Sequence, residues 1–166
     1  MIEVGQRLPS TTLFEYIEVA TEGCSVGPNA VDAAKASAGK TIVLFALPGA
    51  FTPTCTAQHL PGYLAQQAAL SAKGVDEIWC VSVNDAFVMH AWGKSAGVEG
   101  KVRMLADGSA DLAKALGLTL DLTARGMGVR SQRFAMIIKD GAVADLQVEQ
   151  PGKFEVSSAE NMLARL

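Results

Sequence analysis

The hydrophobic pattern of this chain alternates between short continuous apolar runs and longer stretches of helical period. Thr41–Leu47 (TIVLFAL) is β-branched and aliphatic throughout, which predicts a strand buried on both faces; Pro48 and Gly49 end it. Asp76–Val83 (DEIWCVSV) reads as a second buried strand, and Lys101–Asp107 (KVRMLAD) is strand-like. Between them lie helical stretches. Thr52 can cap a helix with Pro53 at its first position, running to about Lys73 and closed by Gly74, with a kink at Pro61. Asn84-Asp85 caps a helix that reaches Gly97, and Ser109–Gly117 (SADLAKALG) is a capped helix closed by its glycine. Arg133–Lys139 and Ala142–Glu149 are strands joined by Asp140-Gly141, a strong hairpin signal. Ser157-x-x-Glu160 is a capping box that opens a terminal helix. Near the start, Thr21–Asn29 reads as a glycine-rich surface loop, followed by a short helix from Asn29 to Ala38 with Asn29 as its cap.

Strand–helix–strand units followed by a hairpin and a last helix predict an α/β fold with a mixed, mostly parallel central sheet flanked by helices. The order of elements resembles that of a thioredoxin-like domain. The 166 residues suit one domain spanning 1–166, and no repeat, linker or low-complexity tract divides them. A net charge of −3 offers no electrostatic reason to expect nucleic acid or an anionic membrane. The mean hydropathy of +0.24 is high for a soluble domain, so self-association that covers apolar surface is expected. The start of the chain lacks the pattern of a secretory signal, and no apolar run is long enough to cross a bilayer. Three irregularly spaced cysteines make no disulfide framework, which points to a reducing, cytoplasmic setting.

The chemistry centres on Leu47–Cys55 (LPGAFTPTC). Cys55 falls at a predicted helix start, where unpaired N–H groups and the positive dipole end favour a thiolate. In a thioredoxin-like domain this is the slot of a Cys-x-x-Cys pair, but here it reads Thr52-Pro53-Thr54-Cys55. Dithiol exchange needs two sulfurs, and this motif holds one. The bland alternatives are plain: Cys55 as an inert buried thiol, Thr52 as no more than a cap, Pro48 as a strand terminator, and Arg133, like Arg125 and Arg130, as a solvated strand-end charge.

PGAFTPTC followed by HLPGY resembles the active-site signature of the peroxiredoxins, specifically the type-5 (type II) subfamily. AKGVDEIWCVSVNDAFVMHAWG, GKVRMLAD and RFAMIIKDGAV extend the resemblance over essentially the whole chain. The resemblance implies a thiol-dependent peroxidase acting on hydrogen peroxide and alkyl hydroperoxides, and a homodimer formed through the edge of the domain near the active site. Cys55 would be the peroxidatic thiolate that becomes sulfenic acid, and Thr52 would hold both sulfur and peroxide. Arg133 would stabilise the thiolate and the leaving oxygen, and Pro48 would shield the pocket. His59, four residues after Cys55 on the same helix face, belongs to the signature and is a candidate substrate-site residue. A zinc site or a Cys-His dyad needs further ligands or an orienting group that the sequence does not show, so no metal and no cofactor is expected.

Some relatives carry a resolving cysteine in the C-terminal stretch; Ser157 stands about there in this chain. Cys80 reads as core packing, and Cys24, in the glycine-rich loop, is a candidate resolving thiol within or between subunits. The default expectation is reduction by an external thiol, glutathione with glutaredoxin or thioredoxin. An alternative is a peroxide-sensing module that passes the oxidation of Cys55 to a partner.

Overall fold

The computed structural model describes all residues, 1–166. Nine strands and five α-helices follow one another as β1 (Thr12–Ile17), β2 (Gly27–Asp32), α1 (Ala33–Ser37), β3 (Thr41–Leu47), α2 (Leu60–Ala72), β4 (Glu77–Ser82), α3 (Ala86–Ala96), β5 (Arg103–Ala106), α4 (Asp111–Leu116), β6 (Thr119–Leu122), β7 (Gly128–Ser131), β8 (Phe134–Lys139), β9 (Ala142–Val148) and α5 (Ala159–Ala164). Seven of the strands form one sheet in the order β2-β1-β5-β4-β3-β8-β9, and β6 and β7 make a separate hairpin.

The run Ile42–Leu47 is buried on both faces, as its pattern predicts. Alternate residues feed two cores. Val43, Phe45 and Leu47 pack with α2, α3 and α5 through Tyr63, Trp92 and Met162. Ile42, Leu44 and Ala46 pack on the other face with Leu112 and Leu116 of α4 and Ala33 ahead of them. The parallel pairing expected of most of the sheet is confined to β3, β4 and β5. Antiparallel neighbours flank this centre on both sides, β8 and β9 on one and β1 and β2 on the other. A hairpin at each edge thus makes the sheet mixed, with parallel strands in the minority.

The largest departure from the pattern lies near the start of the chain. The predicted helix from Asn29 is strand β2 up to Asp32, and only 33–37 is helical. Asp32, not Asn29, caps that helix by accepting from Lys35 N–H at 2.9 Å. Asn29 instead binds Ser25 and Gly27 and closes the preceding loop. Pairing decided this: β1 needs a partner on its outer side, and the edge position tolerates Pro28, which has no N–H to donate. The hairpin β6–β7 was also not marked by any apolar run.

Two caps shift as well. Helix α4 is capped from Asp107, which accepts from Leu112 and Ala113 N–H at 3.0 Å each, not from Ser109. Helix α5 is capped by Ser158, because the Ser157 hydroxyl is drawn to Glu149. Ahead of Pro61, residues Cys55–His59 form a π turn, which leaves the proline in the first turn of α2 where its missing N–H costs nothing. No helix is long and apolar enough to cross a membrane.

The β8–β9 turn is as the sequence implies. Asp140 (φ 48°) and Gly141 (φ 75°) both occupy the left-handed region, as a two-residue hairpin of this twist demands. Asp140 also accepts from Gly39 N–H at 2.7 Å. Asp140→Asn keeps an acceptor and a residue tolerant of positive φ, so its stability should stay within about 0.5 kcal/mol of the parent. Asp140→Ala loses both and should cost about 1–2 kcal/mol, read from urea unfolding midpoints.

Candidate active site

Cys55 follows β3, at the end of the sheet where the three parallel strands finish. The connecting loop is braced from several sides. Arg130 Nη1 donates to Pro48 O at 3.2 Å, with Arg130 itself held by Met127 O. Ala50 N–H donates to Asn84 Oδ1 at 3.0 Å, and Ser82 Oγ donates to the same oxygen. A Cβ at Gly49 would sit 2.9 Å from Arg130 Nη1 and 3.2 Å from Thr52 Cγ2, so a side chain there would displace the guanidinium that braces Pro48. Phe51 is held at φ 62°, a strained conformation for a bulky residue and one that the braces must maintain.

Thr52 occupies the cap position through its carbonyl, which accepts from Thr56 N–H at 3.0 Å. Its hydroxyl turns the other way and donates to Gly49 O at 2.7 Å. The expected hydrogen bond from Thr52 to the sulfur is not made. The consequence is chemical: with its one proton committed, the hydroxyl can only accept from anything bound beside it.

The sulfur is met by the predicted arginine. Arg133 precedes β8, and its Nη2 lies 3.2 Å from Cys55 Sγ. Nη1 of the same guanidinium donates to His59 Nδ1 at 2.8 Å. His59 Nε2 lies 3.1 Å from Ser157 O. A carbonyl only accepts, so the ring proton resides on Nε2 and the imidazole is neutral. Burial, and then the Arg133 charge, push its pKa down to about 3. Since the unfolded ring titrates near 6.5, folding is opposed by protonation, and stability falls as the pH drops from about 6.5 toward 3.

His59 thus touches the arginine and not the sulfur. Both ring nitrogens are engaged, which leaves neither for a metal and none for a Cys-His dyad. Phe45, Tyr63 and Phe154 surround the ring, and the Arg133 guanidinium lies 5.9 Å from the Phe154 ring centre. No carboxylate pairs with Arg133. Arg133 and Pro48 line a cavity of about 990 Å³ together with Thr54, Gln58 and Phe154. Cys55 itself is 1 % exposed.

All three cysteines are free thiols. Cys80 pairs across β4 with Phe45 of β3 and is fully buried; burial, and then proximity to Cys55, raise its pKa well above the usual thiol value. That is the inert core role read from its neighbours. Cys24 sits in the turn between β1 and β2. Because β1 runs antiparallel to β5, that turn lies at the end of the sheet where β3–β5 begin, roughly 20 Å from where they finish. A disulfide needs Cα atoms within about 7 Å, so the folded subunit cannot join Cys24 to Cys55. Ser157 is buried with its hydroxyl on Glu149.

Four groups receive no role in this site from the sequence: Arg130, Asn84, Tyr63 and Glu149. Arg130 reads as a strand-end charge and Glu149 as the last residue of a strand. Only their partners, distant in sequence or in loops without pattern, reveal them. Tyr63 donates to Ser157 O at 2.8 Å, beside His59.

Comparison with known proteins gives the family. The redoxin family profile matches residues 3–163. Peroxiredoxin-2E-2, chloroplastic, of rice (Oryza sativa subsp. japonica) is 48 % identical over 99 % of this chain and 72 % of its own length. Reduced Prx3 of Vibrio vulnificus in complex with H2O2 shares 52 % identity, with a TM-score of 0.91 over 99 % of each chain. A Burkholderia cenocepacia chain described as a candidate thioredoxin reductase shares 61 % identity, with a TM-score of 0.98 over 100 % of this chain and 98 % of its own. With its thioredoxin-like sheet and a lone cysteine met by an arginine, this chain belongs to the redoxin family, as a peroxiredoxin.

Proposed function

We propose that the protein reduces hydrogen peroxide and small alkyl hydroperoxides at Cys55 and is reset by an external thiol. The observation that carries this reading is the Arg133 Nη2–Cys55 Sγ contact at 3.2 Å, made by a guanidinium that no carboxylate neutralises. A cation donating to sulfur favours the thiolate, which is the nucleophile. The first N–H groups of the helix, of the kind a helix leaves unpaired, face the same end. The thiolate attacks the terminal oxygen of R–O–O–H. The S–O bond forms and the O–O bond breaks; the sulfur becomes Cys–S–OH, and the departing alkoxide takes a proton from water. Thr52, restricted to accepting, holds the peroxide hydrogen, while Arg133 stabilises the charge on the departing oxygen. Pro48 limits water at the pocket mouth. His59 serves as a holder of Arg133 and is not a substrate ligand in this reading.

The sulfenic acid then needs a second sulfur. Cys80 is sealed in the core, Ser157 stands where some relatives place a thiol, and Cys24 is at the far end of its own subunit. An external reductant, glutathione with glutaredoxin or thioredoxin, accounts for turnover; a contribution from Cys24 requires a second subunit. The reductase description of the Burkholderia relative does not carry over, because the motif offers a single sulfur. Three free thiols suit a reducing compartment such as the cytoplasm. A homodimer completes the reading. Phe51, 53 % exposed and beside Trp92, and Phe87, 62 % exposed and beside Tyr16, offer apolar surface next to the active-site loop.

Purified protein with hydroperoxide and each reducing system in turn, followed by NADPH loss, tests the function. Turnover with one system is expected. Oxidation of Cys55 without turnover in either would favour a sensor that passes its oxidation to a partner. Cys55→Ser should abolish activity, and Arg133→Gln should lower it roughly a hundredfold, the scale of one pre-organised charge stabiliser; wild-type rates in Arg133→Gln would refute the assignment. Thr52→Val should lower kcat/KM by about ten- to a hundredfold while Thr52→Ser, which keeps the acceptor, stays within a few-fold. Equal loss in both would show that the methyl group and not the hydroxyl matters. Sedimentation should give a dimer that Phe87→Asp converts to monomer, and a monomeric parent would remove that part of the reading.

A further inference from the structure

Glu149 lies directly across the sheet from Arg133, and its N–H donates to the Arg133 carbonyl at 3.0 Å. It is 7 % exposed, yet it makes no ion pair with that arginine. Its carboxylate accepts instead from Glu155 N–H at 2.7 Å, Val156 N–H at 3.0 Å, Ser157 N–H at 3.2 Å and the Ser157 hydroxyl at 2.9 Å. Burial opposes ionisation, but the amides of Val156, Glu155 and Ser157 outweigh it and hold the carboxyl below its usual range. Three consecutive amides converge on one side chain, so the strap 155–157 is wrapped around the carboxylate.

That wrapping has a consequence on the opposite side of the strap. The Ser157 carbonyl faces the π turn and α2, where it accepts from His59 Nε2 and from Tyr63. It therefore dictates which ring nitrogen of His59 is protonated, and Nδ1 is left as the acceptor for Arg133 Nη1. With Nη1 so fixed, Nη2 of the planar guanidinium is directed at Cys55 Sγ.

We propose that Glu149 is a positioning residue of the peroxidase site: it folds the 155–157 strap so that the Ser157 carbonyl sets the His59 tautomer, His59 then holds Arg133 against Cys55, and the carboxylate is itself kept off the guanidinium. The proposal rests on the reading of Cys55 and Arg133 as the peroxidatic pair. The charge matters as much as the shape. An anion directly across the sheet from Arg133 would neutralise it if free, and the four donors of the strap occupy it.

Glu149→Gln tests this. The variant matches the shape but turns an amide NH2 toward backbone donors, so the strap loses its centre. Cys55 alkylation by iodoacetamide, followed site by site by mass spectrometry across pH, should show a midpoint raised by about one unit, and kcat/KM for H2O2 should fall about tenfold. The ¹⁵N spectrum of His59 should show the Nε2–H tautomer in the parent and a mixture in the variant. A folded Glu149→Gln protein with the parent's thiol midpoint and His59 spectrum would overturn the proposal, as would an Nδ1–H ring in the parent. If Glu149→Gln does not fold, Ser157→Ala, which removes one donor only, should raise the midpoint by a smaller amount, and an unmoved midpoint there would overturn it equally. Thiol titration needs no turnover. A parent protein that titrates as expected but never consumes peroxide sinks the peroxidase reading alone, whereas an active parent with an unmoved variant sinks this inference alone.

Discussion

A guanidinium held 3.2 Å from a buried sulfur, with no carboxylate beside it, is the constraint that organises this molecule. Unit charges about 4 Å apart interact by about 1 kcal/mol in water and about 4 kcal/mol at the effective dielectric of a protein near its surface. A carboxylate paired with Arg133 would cancel a contribution of that size. The structure avoids this although Glu149 is its cross-strand neighbour, because the strap 155–157 supplies enough donors to occupy the carboxylate. The arginine is left with neutral partners, an imidazole nitrogen and an aromatic ring, which orient it without reducing its charge.

Two thiols of one core lie in different surroundings. Cys80 and Cys55 belong to the same apolar cluster under α2 and α3. Cys80 sits mid-strand, and burial, then proximity to Cys55, push its thiol pKa up. Cys55 is as deeply placed but lies at a helix start beside a cation. The loop that delivers it is correspondingly constrained: Arg130, Asn84 and the Thr52 hydroxyl each hold one residue of Pro48–Ala50, and Phe51 adopts a conformation that bulky residues avoid. Rigidity here keeps the sulfur, the acceptor oxygen of Thr52 and the guanidinium in one mutual geometry.

How much of this was legible differs from element to element. β3, β4, α3 and the Asp140-Gly141 turn announce themselves through local pattern, since continuous burial, an Asp cap and a positive-φ pair are properties of neighbouring residues. The first hairpin does not: PNAVD reads as a helix opening, and only the need of β1 for an outer partner makes it a strand. The cap of α5 moves by one residue for a similar reason. Ser157 satisfies the local rule, but Glu149 competes for its hydroxyl, and Ser158 takes over.

From the chain alone came the three parallel strands at the centre of the sheet, the cysteine at a helix start, and, by resemblance, the arginine that meets it. These follow from short-range chemistry: apolar periodicity, helix-end geometry and a motif whose residues lie within one loop. Folding alone decided that the Thr52 hydroxyl faces Gly49 and not the sulfur, that His59 bonds the arginine and not the sulfur, and that Cys24 is out of reach in its own subunit. Each of these depends on which atoms meet across strands and loops far apart in the sequence, and a hydrogen bond is assigned by position and competition, which no local pattern records.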